Sequence, residues 1–160
     1  MKFRTGIGYD VHQLADNIPL VLGGVKIPSP KGCVAHSDGD VLIHAICDAL
    51  FGAAAMRDIG YHFPDNDSKY KGISSIILLK ECVFMIKNAG YEIANIDATV
   101  CLQKPKLSPF IPKMINCLSK QMNIEIEQVN IKVTTTEKLG FVGREEGISA
   151  QAIALIFKHE

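Results

Sequence analysis

Asp10 and His12 stand two residues apart in "GYDVHQL", inside a stretch that otherwise reads as the start of a strand. In a strand, residues i and i+2 point to the same face, so a carboxylate oxygen and an imidazole nitrogen can converge on one point. That is half of a metal site. His44 supplies a third ligand from an apolar segment of helical spacing, with Asp40 and Asp48 four residues before and after it on the same helix face. One of those carboxylates could accept the second ring N–H and orient the imidazole. Asp, His and His form an N2O donor set suited to Zn2+, and three protein ligands leave one coordination position for water or substrate, as in a catalytic site. Spacing alone leaves the other reading open, with Asp10 ending a strand, His12 on the surface and His44 satisfied in the core.

Other groups point to anions. "AHSDGD" places His36, Ser37, Asp38 and Asp40 at a helix start, where free N–H groups favour phosphate or where Ser37 or Asp38 simply caps the helix. "TTTEK" offers the hydroxyls of Thr134 and Thr135, the ammonium of Lys138 and, in Glu137, a carboxylate for a phosphate-bound Mg2+, although threonines also favour strands on their own account. Arg144 in "GFVGREEG" can clamp an anion or pair with Glu145 or Glu146. No GxxxxGK[ST] occurs and "GIGYDV" lacks the third glycine of a dinucleotide loop, which disfavours ordinary NTP hydrolysis and Rossmann chemistry.

The elements that must position these residues fit one domain spanning residues 1–160, with 48% hydrophobic content for its core. Lysine plus arginine and aspartate plus glutamate both number 17, so neither nucleic acid nor an anionic membrane is an expected partner. No apolar run approaches the roughly 20 residues of a membrane span. The chain is expected to be soluble: cytoplasmic if bacterial, or in a plastid-type organelle if eukaryotic with a transit segment removed. Five scattered cysteines with no C-x-x-C pair read as reduced core residues. Residues 1–70 hold eight Asp, no Glu and four of the five His, so the short carboxylates and imidazoles gather in the first half.

Residues 2–12 read as a strand and 18–28 as a hairpin turning at Gly23 and Gly24, forming an N-terminal ribbon. Residues 41–56 read as a buried helix, 57–72 as a long loop, 74–88 as an amphipathic helix ended by Gly90, and 91–103 as a strand. A third helix over 109–122, a strand over 129–137, a loop over 138–147 and a closing strand over 148–158 complete the chain. Alternating strands and helices imply an α/β (α+β) sandwich, a mixed β-sheet with helices on one face plus the N-terminal β-hairpin.

Taken in order, "GYDVHQL", "LGGVKIP", "AHSDGDVLIHAICDALFGAAAMRDIGYHFPD" and "TTTEKLGFVGREEGI" closely resemble the 2-C-methyl-D-erythritol 2,4-cyclodiphosphate synthase family of non-mevalonate isoprenoid synthesis, over essentially the whole chain. The resemblance implies a homotrimer with active sites at subunit interfaces. Each site would convert 4-diphosphocytidyl-2-C-methyl-D-erythritol 2-phosphate to the cyclic diphosphate and CMP, as a phosphorus–oxygen lyase. It implies Zn2+ on Asp10, His12 and His44, and Mg2+ (or Mn2+) on Glu137. His36, Ser37, Asp58, Gly60, Phe63 and Asp65 match the contacts to the methylerythritol phosphate, and Asp48 matches a residue supporting His44. Pro105, Lys106 and Leu107, with Thr134, Thr135 and Lys138 around the phosphates, match the cytidine pocket, where Lys104 and Ser108 depart from the small and apolar residues expected. Phe141 and Arg144 match the lining of a cavity on the threefold axis that takes an isoprenoid diphosphate. Two other readings use the same zinc ligands. One is a zinc-dependent phosphoesterase in which water attacks, and the other is a trimeric prenyl-diphosphate-binding module with structural zinc.

Overall fold

β1 (Lys2–Asp16) and β7 (Gly147–Lys158) run antiparallel, paired from Lys2 with Lys158 to Gln13 with Gly147, in the computed structural model, which describes residues 2–159. β1 outruns the expected residues 2–12 because its last three residues pair with β4 (Lys31–Cys33). On the other side of β7 lies β5 (Glu92–Cys101), antiparallel to it and parallel to β6 (Val129–Thr134). The result is a five-stranded mixed sheet of order β4-β1-β7-β5-β6, the sheet type expected from the sequence. A parallel pair needs a crossover, and α4 (Ile111–Met122) lies in the one that joins β5 to β6. β2 (Leu20–Leu22) and β3 (Val25–Ile27) form a separate antiparallel pair, with Gly23 and Gly24 at the turn at φ of 56° and 75°.

α1 (Val41–Ala53) is buried nearly all round, because the sheet lies against one side and α3 (Ser75–Asn88) against another. Its side toward β1 presents Ala45, Ala49 and Ala53, and the strand answers with Gly6 and Gly8. A Cβ on Gly6 would overlap the Ala49 carbonyl oxygen, and one on Gly8 would overlap that of Ala45. Only glycine allows so close an approach. Val129 and Ile131 of β6 turn inward beneath α4, whereas the opposite sheet face leaves Phe3, Ile7, Tyr9, Val11 and Ile153 exposed.

Three local expectations are corrected. The residues 57–72 are not a plain loop but contain α2 (Ile59–His62) and a 3-10 turn over Ser68–Tyr70, each started by an aspartate side chain accepting a backbone N–H. α5 (Gly140–Gly143) interrupts the expected loop 138–147, and β6 stops at Thr134, opposite the last residue of β5, with Glu137 and Lys138 beyond it at positive φ. The cap of α1 is neither Ser37 nor Asp38 but Asp40. Its fully buried carboxylate accepts from Ile43 N (3.0 Å), Gly23 N (3.0 Å) and Gly24 N (2.7 Å), so it joins the helix start to the β2–β3 turn. The helix N–H groups offered to phosphate are thus turned toward a carboxylate.

Burial pushes the Asp40 carboxyl up to about 6 from 3.8, against the pull of its three N–H bonds. An acid with a raised pKa holds its proton more tightly when folded, so its contribution is fully present below 3.8 and is lost as pH rises through about 6. Asp40→Asn removes that pH dependence and leaves backbone donors short of an acceptor, at a cost of about 1–3 kcal/mol. Urea midpoints between about pH 4 and about pH 7 are expected to fall with pH in this window for the parent, and to be lower and flatter for the variant.

Candidate metal centre

The inner face of β1 that carries Gly6 and Gly8 continues to Asp10 and His12, and the first turns of α1 bring His44 against it. Asp10 Oδ2 lies 3.0 Å from both His12 Nδ1 and His44 Nδ1, and the two rings have centroids 5.3 Å apart. One donor atom from each of the three residues falls within 4.8 Å of the others, a grouping that could hold a metal ion. His12 Nδ1 is buried with no hydrogen-bond partner. A buried ring nitrogen left without a partner, beside a carboxylate shared by two imidazoles, fits a cation at their meeting point.

Burial opposes ionisation of Asp10, but the two imidazoles of His12 and His44, each 3.0 Å from its Oδ2, outweigh it and bring the carboxyl down to about 2. For His44 burial likewise opposes the charge, and the carboxylate of Asp10, which accepts from the charged ring, outweighs it, with the charges of Asp10, Asp40 and Asp38 adding to the upward shift. The far ring nitrogen of His44, Nε2, is 3.0 Å from Ser75 Oγ and 3.3 Å from Ser37 Oγ. The expectation that Asp40 or Asp48 orients His44 is therefore corrected. Asp40 serves the helix start, and Asp48 accepts from Ile59 N at 2.7 Å, which holds α2 in place. Burial raises the Asp48 carboxyl against that bond. Ser75 is absent from the sequence reading, since a serine ahead of an apolar helix reads as its cap, and Asp38, expected there only at the start of α1, is its partner.

A cavity of about 560 Å³ opens over the three ligands. His36, Ser37, Gly60, Phe63 and Asp65 line it, on the loop before α1 and the segment after it. Asp58 stands at the α2 start, accepting from Tyr61 N at 2.9 Å, and is outside the lining. A second cavity of about 370 Å³ is lined by Pro105, Lys106, Leu107, Thr134 and Thr135 and shares no lining residue with the first. Glu137 accepts from Thr135 Oγ1 at 3.2 Å, and Lys138 N donates to Gln103 Oε1 at 3.3 Å, both on the exposed turn after β6. Within one chain, then, Glu137 and Lys138 line neither cavity. Arg144 makes two 3.0 Å bonds to Glu146, while Glu145 pairs with Lys104 at 3.0 Å. Phe141 is partly exposed beside them.

A family model described as the YgbB family matches residues 3–157. The 2-C-methyl-D-erythritol 2,4-cyclodiphosphate synthase of Parabacteroides distasonis is 59% identical over 156 residues, covering 98% of this chain and 97% of that protein. Among solved structures, the bifunctional IspDF from Campylobacter jejuni aligns at a TM-score of 0.96 with 42% identity, over 99% of this chain and 43% of that longer one. IspF of Plasmodium falciparum in complex with CDP aligns at a TM-score of 0.86 with 35% identity, over 99% and 97% of the two chains.

Asp10→Asn removes the only anionic ligand of the three. Calorimetric titration with a divalent transition metal is expected to show an affinity lower on the order of 100-fold or more. Unchanged affinity would remove Asp10 from the ligand set.

Proposed function

The chain belongs to the YgbB family, and from that premise we infer that it performs the reaction after which its relatives are named, closing 4-diphosphocytidyl-2-C-methyl-D-erythritol 2-phosphate to 2-C-methyl-D-erythritol 2,4-cyclodiphosphate with release of CMP. The observation that carries this is the convergence of Asp10, His12 and His44 on one point beneath a 560 Å³ cavity. In this phosphorus–oxygen lyase reaction the nucleophile is the substrate's own 2-phosphate, already anionic, and CMP leaves as a stable anion. One P–O bond forms at the β-phosphorus as the bond to CMP breaks, so neither a strong base nor a strong acid is needed. The site must instead bring like charges together in line.

Zn2+ on Asp10, His12 and His44 and a second ion, Mg2+ or Mn2+, on Glu137 would supply Lewis-acid neutralisation of the diphosphate. The chain's part is alignment. His36, Ser37, Gly60, Phe63 and Asp65 hold the methylerythritol phosphate, and Asp58 and Asp48 fix the α2 segment that carries part of that wall. Pro105, Lys106, Leu107, Thr134, Thr135 and Lys138 take the cytidine diphosphate end, a reading supported by the relative solved with CDP.

Assembly as a homotrimer, with the metal cavity of one protomer facing the nucleotide cavity of another, accounts for two otherwise separate half-sites on one chain. The exposed apolar face of β1 and β7 supports it, since Ile7 (70% exposed) and Ile153 (51%) pair there with no cover. In that assembly Phe141 and Arg144 line the axial cavity, suited to an isoprenoid diphosphate. Bacterial relatives support a place in the cytoplasm.

Phosphorus NMR of the protein with this substrate, Zn2+ and Mg2+ tests the assignment. CMP is expected together with two coupled resonances of a ring diphosphate. CMP with a linear product would mean hydrolysis on the same scaffold, and a metal-loaded trimer without turnover would contradict the assignment.

A further inference from the structure

Behind His44, away from the cavity, three side chains form a chain of hydrogen bonds that the reaction as described does not use. Ser75 is the first residue of α3 and is fully buried. Its Oγ–H donates to Asp38 Oδ1, its backbone N–H donates to Asp38 Oδ2 at 2.9 Å, and its Oγ lies 3.0 Å from His44 Nε2. Asp40 N also donates to Asp38 Oδ1, at 3.3 Å, so both carboxylate oxygens are engaged and the group is held in place.

From this arrangement we propose that Asp38 and Ser75 are positioning residues that fix His44 as the Nε2–H tautomer, turning the lone pair of Nδ1 toward the metal centre. The inference rests on the metal reading above. A hydroxyl has one hydrogen, and a carboxylate can only accept. Ser75 gives its hydrogen to Asp38, so toward His44 it can only accept, and Nε2 must be the donor. Ser37 Oγ accepts from Gly39 N and keeps its own O–H, but at 3.3 Å it is the more distant neighbour of Nε2, so the nearer Ser75 decides. The bare Nδ1 then faces Asp10 Oδ2 across 3.0 Å, two acceptors that a cation between them reconciles. In the opposite tautomer, Nδ1–H would be spent on Asp10 and no lone pair of His44 would face the site. Partners of this kind typically change metal affinity 10–100-fold.

The two residues make distinguishable predictions. Ser75→Ala removes the acceptor and frees the ring to exchange tautomers. Asp38→Asn offers an amide N–H to Ser75 Oγ, which releases the hydroxyl hydrogen toward Nε2 and favours the Nδ1–H form. Nitrogen-15 NMR of the histidine rings in the metal-free protein is expected to show a hydrogen held on Nε2 of His44 in the parent, whatever Nδ1 carries toward Asp10, a mixture of protonated and bare Nε2 in Ser75→Ala and a shift toward bare Nε2 with Nδ1–H in Asp38→Asn. Competition with a chromogenic chelator is expected to show Zn2+ affinity lower by about 10-fold or more in both. Ser75→Ala needs a native melting transition to count, and should it fail to fold, Asp38→Asn decides by the same two readings. A folded variant with the parent's tautomer and zinc affinity overturns the inference. A parent that shows the Nε2–H tautomer but binds no Zn2+ overturns the metal reading instead.

Discussion

Gly6 and Gly8 leave the inner face of β1 bare, so the backbone of α1, presenting Ala45, Ala49 and Ala53, lies directly on it. The metal centre depends on that contact. Two positions beyond Gly8 the same face carries Asp10, then His12, and the end of α1 that holds His44 reaches them with short side chains. The separation of the ligands is therefore set by backbone against backbone rather than by the reach of long flexible groups, which is how a constellation is held to the tolerance that catalysis needs. Two strand glycines cost roughly 0.5–1 kcal/mol each in chain entropy. Burial of α1 on nearly every side offsets that, with Leu42, Ile43, Ile46, Leu50 and Phe51 all fully enclosed.

Around this contact the loop before α1 is held by carboxylates. Asp40 binds the helix start to the Gly23–Gly24 turn, and Asp38 binds the same loop to the start of α3. His36 and Ser37 lie on that loop, so the wall of the cavity and the orientation of His44 share one support. Asp48 extends the pattern to α2. The concentration of aspartate in the first half of the chain thus has a physical use: short carboxylates with few rotamers tie backbone N–H groups of separate elements together.

Much of this was legible in the sequence where periodicity decides. Residues two apart on a strand and a histidine inside an apolar helix make Asp10, His12 and His44 one of two open readings, which the family resemblance then singles out, and alternation of strands and helices gives the mixed sheet. What decides the orientation of His44 is a contact 31 residues away in sequence, to a serine whose place before an apolar run looks like an ordinary cap. In "SDGD" either aspartate fits a helix cap by local rules, and only the tertiary contact with Gly23 and Gly24 selects Asp40. The positive φ of Glu137 and Lys138 carries no sequence signal, since neither is glycine or asparagine.

The central claim is that close backbone contact between β1 and α1 sets the metal centre, and Gly8→Ala tests it most directly, with Gly52→Ala as its control. A Cβ at Gly8 would overlap the backbone of α1, whereas one at Gly52 would meet only Ile7 O at 3.8 Å. Calorimetric titration with Zn2+ is the measurement. The account predicts that Gly8→Ala loses affinity on the order of 100-fold while Gly52→Ala keeps that of the parent. Equal affinity in the two variants would contradict it.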